Sequence, residues 1–83
     1  MKALDILAES LRCGYIHPTT VLNTLIDLEN WGGHPALCEF EQRLGHSVES
    51  LRARQHPSAE LAGAWLAAVQ CYMAERGATD RVA

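Results

Sequence analysis

Eighty-three residues, 48% apolar and 20% charged with a net charge of −3, make one globular domain that holds a single core and leaves little room for a deep enclosed pocket. A disordered chain and a cofactor-dependent enzyme both fit that composition poorly. Two cations face six carboxylates through Gln42, and five arginines face four carboxylates from Arg43 on, so no basic patch suited to unspecific nucleic-acid binding emerges.

Prolines and glycines punctuate the chain. His17-Pro18, His34-Pro35 and His56-Pro57 read as helix starts, since proline suits a first helical turn and the residue before it resists helix. Gly14, Gly32-Gly33, Gly45 and Gly77 read as stops. The first helix is expected over 2–13, with Leu4, Leu7, Ala8 and Leu11 on one stripe. The second runs from about Thr20 to Trp31, capped by Thr19 or Thr20, and presents Val21, Leu22, Leu25, Ile26 and Leu28. The third spans about 35–44 with Leu37, Phe40 and Leu44 inward. A short fourth spans about 48–55 and is capped by Ser47.

The fifth helix starts near Ser58, ends before Gly77 and has no charge from Leu61 to Ala74. Leu61, Trp65, Val69 and Tyr72 form one stripe, which Leu66 and Met73 widen. A helix this apolar is buried on more than one side, either by its own chain or by a second copy. These six residues are therefore the candidate partner or dimer interface. Small residues at Ala59, Gly63, Ala67 and Cys71 recur every four positions and permit close helix approach. The pattern predicts an all-α, compact single-domain bundle of four to five short helices with a long apolar C-terminal helix. The domain spans 1–77, and 78–83 is expected to form a flexible tail.

No motif for chemistry stands out. Cys13, Cys38 and Cys71 are odd in number and widely spaced, the pattern of reduced cytoplasmic thiols rather than of a disulfide framework. Cys13/His17 and Cys38/His34 are each four apart, but Gly14, Pro18 and Pro35 interrupt the intervening helices, so no metal and no cofactor is expected. Asp5 and Glu9 break the opening apolar run that a signal peptide would need, and no stretch is long enough to span a bilayer. One lysine against six arginines in an alanine-rich chain points to a GC-rich genome of bacterial or phage type.

Two binding readings follow. Asp27, Glu29, Glu39 and Glu41 form a candidate acidic surface for a partner protein. The segment 36–55 offers the other: Leu44-Gly45-His46-Ser47-Val48-Glu49-Ser50-Leu51-Arg52 resembles the turn of bacterial helix-turn-helix regulators. That resemblance implies DNA binding through Arg43, Ser47, Ser50, Arg52, Arg54 and Gln55. The first reading leads: a small, non-enzymatic regulator, inhibitor or adaptor that binds another protein, with a homodimer as the second option.

Overall fold

The computed structural model describes residues 2–82, with side chains described for 2–76. Among the described residues the chain is all-α, with three helices: α1 (Lys2–Cys13), α2 (Pro18–Ala53) and α3 (Ala59–Val82). The expected four to five helices are thus corrected to three. The backbone is helical as far as Val82, and the side chains of the tail expected from 78 lie outside the described residues.

Helix α1 buries Ala3 and Leu7, with Leu4, Ile6 and Leu11 packed partly against the core. It ends where the N–H groups of Gly14 and Tyr15 both bond the Ser10 carbonyl, at 3.0 and 3.3 Å. Helix α2 opens differently from expectation. Its N-cap is His17 rather than a threonine: Nδ1 accepts the Thr19 N–H at 3.2 Å, with Pro18 in the first turn. His56 repeats the arrangement before α3, where Nδ1 accepts the Ser58 N–H at 3.1 Å. Two of the His-Pro pairs therefore do more than mark helix starts: the His17 imidazole satisfies an orphan donor of the first turn of α2, and that of His56 a donor of the turn leading into α3.

The merging of the second, third and fourth expected helices into α2 has two separate causes. At Gly45 nothing breaks. Leu37, Phe40, Leu44 and Val48 are all buried, and Leu51 packs beside them. Their spacing of three and four carries one helical stripe straight through the glycine. A mid-helix glycine costs about 1 kcal/mol relative to alanine, and burial of that stripe outweighs it.

Gly33 is different. It adopts φ 67°, ψ −160°, a region open essentially to glycine alone. Leu28 and Leu37 are both buried, yet nine positions separate them, about two and a half helical turns. On a straight helix they would face opposite sides. The kink re-aims the chain so that both face the core. It also shortens the molecule: a straight 36-residue helix would run about 54 Å, whereas the longest extent is 42 Å. Gly32 serves the same bend by another route, because a Cβ there would sit 2.6 Å from the Ala36 methyl.

The core lies mainly between α2 and α3, with α1 laid against both. Trp65 is fully enclosed and meets Phe40 edge-to-face, ring centroids 6.3 Å apart at 84°. Its indole N–H donates to Ser10 Oγ at 3.1 Å, and the Ser10 hydroxyl donates to the Tyr15 carbonyl at 2.7 Å. One serine thus ties α3, α1 and the connection after α1 together.

Helix α3 is long but not apolar all round, which corrects the second half of the expected architecture. Ala62, Trp65 and Val69 are buried, whereas Ala64, Ala67, Gln70, Cys71 and Ala74 face solvent. Its uncharged stretch owes much to alanine and cysteine on the outer face. No helix among the described residues is long and apolar enough to cross a membrane.

Candidate functional site

The kink creates the most prominent surface feature. Val21, Leu25 and Leu28 run along the buried stripe of the first half of α2, and Trp31 is next at the same spacing. Continued helix would carry Trp31 toward the core. Instead the chain turns at Gly32-Gly33, and Trp31 is 91% exposed, far more than the other exposed large apolar residues. Beside it lies a cleft of about 610 Å³ between the start of α1 and the first half of α2. Its walls are Lys2, Ala3 and Ile6 from α1, and Thr24, Asp27, Leu28, Trp31, Gly32 and Ala36 from α2. Thr24 bonds its hydroxyl back to the Thr20 carbonyl at 2.6 Å, so its polar atom is satisfied. Lys2 and Asp27 are exposed and enter no ion pair among the described residues, which leaves a cation on one wall and an anion on the other.

A second, smaller groove of about 390 Å³ lies between α2 and α3, with Leu22 at its rim and Cys71, Tyr72 and Glu75 opposite. Leu22 and Ile26 are exposed one turn apart on this side of α2.

The sequence-based site residues are redistributed. Within the expected α3 interface, Trp65 and Val69 are wholly enclosed by their own chain, so neither is available to a partner. Leu61 is half-buried, and Leu66, Tyr72 and Met73 pack partly against the same core. The expected close approach at Gly63 is made by a side chain: a Cβ there would lie 3.3 Å from the Arg52 guanidinium.

The four expected acidic residues do not form one surface. Glu29 is half-buried and held by α3. Arg76 donates Nε at 3.1 Å and Nη2 at 2.6 Å, and the Tyr72 hydroxyl donates at 2.8 Å. The Arg76 guanidinium also lies 5.4 Å from the centre of the Tyr72 ring. Hydrogen bonds from Arg76, then from Tyr72, hold the Glu29 carboxyl below the usual range. Burial, then the bond to Glu29, pushes the Tyr72 hydroxyl up. Glu39 pairs with Arg43 at 3.6 Å, Glu41 is half-buried, and only Asp27 of the four borders the cleft.

The helix-turn-helix expected across 36–55 is not formed, because 36–53 lies in one uninterrupted helical run with Ser47 half-buried inside it. Ser50, Arg52, Arg54 and Gln55 are exposed, at the far end of α2. Arg54 is its C-cap, and Gln55 turns the chain at φ 52°. Among the described residues no three His, Cys, Asp or Glu side chains are grouped to hold a metal ion.

Trp31 is the site residue that sequence reasoning missed. The sequence marks it only as the end of the second expected helix, and the Gly-Gly pair after it reads as a plain helix stop. The signal present in the chain is the half-turn phase error between Leu28 and Leu37, which demands a bend right after Trp31. No protein-family model, curated protein or solved structure matches the chain.

Proposed function

We propose that this chain is a small helical binding protein, a regulator or adaptor that grips an apolar segment of another protein in the cleft beside Trp31. One observation carries the reading: the indole of Trp31 stands 91% exposed at the mouth of an apolar cleft of about 610 Å³. Leaving a tryptophan in water forgoes a large burial energy. In protein interfaces tryptophan is enriched among the few anchors that dominate affinity. The cleft floor of Ala3, Ile6, Leu28 and Ala36 suits an aliphatic or aromatic anchor. Lys2 and Asp27 on opposite walls suit a polar rim that orients the incoming segment. The free thiols among the described residues fit a reducing compartment such as the cytoplasm.

Photocrosslinking in the native host tests this directly. A photoreactive residue replacing Ile6, on the cleft wall, should trap one protein species, and Trp31→Ala in the same chain should abolish the product. The same photoreactive residue at exposed position 49, near the other end of α2, should not trap it. Equal trapping from both positions, or trapping that survives Trp31→Ala, would place the binding surface elsewhere.

A further inference from the structure

The free thiols stand in different chemical settings. Cys13 donates to the Glu9 carboxylate, Sγ to Oε1 3.6 Å. Cys71, exposed on α3, shares the wall of the second groove with Glu75. Neither thiol is hydrogen-bonded to an imidazole among the described residues. Cys38 alone among the described cysteines stands against a base: its Sγ lies 3.4 Å from Nε2 of His34, one turn earlier. Helical side chains lean toward the N-terminus, so Sγ reaches back over the first turn after the Gly33 kink, where His34 sits. His34 is exposed and Cys38 half-buried, so a small molecule can reach the pair.

We infer that Cys38 is a thiol-modification site, in which His34 draws off the proton and low-molecular-weight disulfides are the reactive ligand class. The Cys38 proton passes to His34 Nε2, and the thiolate attacks one sulfur of the disulfide. A new bond joins Cys38 Sγ to that sulfur while the original S–S bond breaks. The departing thiolate takes the electron pair and then the proton from His34, leaving as a free thiol. Cys38 is thereby oxidised to a mixed disulfide and half of the incoming disulfide is reduced.

Two carboxylates around the pair are committed to other partners. Glu39, the nearest carboxylate in sequence, is paired with Arg43. Glu41 is half-buried three positions on. Glu29 is held by Arg76 and Tyr72.

The test uses the intact folded protein with oxidised glutathione, an anionic probe, and cystamine, a cationic one. Peptide mass spectrometry after brief substoichiometric exposure locates the modified cysteine. Cys38 should react on the order of tenfold faster than Cys13 or Cys71 with both probes, although it is the least exposed of the three. His34→Gln, which keeps a polar side chain but no base, should bring Cys38 to the rate of the others. Unchanged rates at Cys13 and Cys71 in that variant report an intact fold. Faster modification of Cys13 or Cys71, or a Cys38 rate that survives His34→Gln, would overturn the assignment.

Discussion

Ser10 is half-buried, yet its hydroxyl accepts from the enclosed Trp65 indole at 3.1 Å and donates to the Tyr15 carbonyl at 2.7 Å. Ser10→Ala removes both bonds and strands an indole N–H inside the core. A net hydrogen bond contributes about 1 kcal/mol and a stranded buried donor costs about 1–3 kcal/mol, so the variant should lose about 2 kcal/mol. Trp65→Phe retains an aromatic ring for Phe40 but loses the N–H and part of the ring volume, at about 2 kcal/mol. Once the N–H is absent, Ser10→Ala forfeits only the Tyr15 bond, about 1 kcal/mol. The double variant should therefore be about 1 kcal/mol more stable than the sum of the singles implies. Urea unfolding followed by far-UV circular dichroism measures all four proteins. Dichroism is the better probe because Trp65→Phe leaves Trp31 as the remaining tryptophan, and Trp31 is exposed before unfolding. Additivity to within about 0.3 kcal/mol would refute the linkage.

Gln55 holds φ 52° at the end of α2, where glycine is the unstrained choice, so Gln55→Gly should stabilise by about 0.5–1 kcal/mol; a lower urea midpoint would contradict this. Gly33→Ala should destabilise by about 1–3 kcal/mol through its backbone conformation, since the added Cβ meets nothing closer than 3.7 Å. Glu29 has its carboxyl lowered from the ordinary 4.5 by Arg76 and then Tyr72. The folded state therefore binds that proton less readily than the unfolded chain, and the contribution of Glu29 is present above pH 4.5 and lost as acidification passes through its lowered value. Glu29→Gln should flatten the fall in urea midpoint below that pH, and an unchanged acid profile would remove Glu29 from the account.

Much of the helical pattern was readable because burial follows spacing. Ala3 and Leu7, Val21, Leu25 and Leu28, and Leu37, Phe40 and Leu44 occupy the inward positions of their stripes. The helix count is not legible from glycines alone, because a glycine has more than one structural meaning. Gly45 lies inside a stripe that stays in phase from Leu37 to Leu51, and packing overrides its weak helix propensity. Gly33 lies where the phase fails, and there the chain does bend. The roles of His17 and His56 are not legible in the sequence, because they depend on Nδ1 geometry that spacing does not reveal. The uncharged run of α3 exaggerated its apolar girth, since alanines on its outer face carry little hydrophobic burial energy. The candidate site was the least legible part. Trp31 shares the spacing of core residues, and only the three-dimensional turn after it separates an exposed anchor from a buried one.

In the proposed function Trp31 serves binding, while Trp65 serves the fold. The most direct test is the dissociation constant of the protein trapped through the cleft, purified and titrated against wild type and Trp31→Ala. Trp31→Ala should weaken binding at least about 30-fold, corresponding to about 2 kcal/mol at an interface anchor. The unfolding free energy should stay within about 0.5 kcal/mol of wild type, because the exposed indole makes few internal contacts. Arg52→Ala and Arg54→Ala should leave the affinity nearly unchanged. Wild-type affinity in Trp31→Ala, or binding lost with Arg52→Ala instead, would contradict the proposed function.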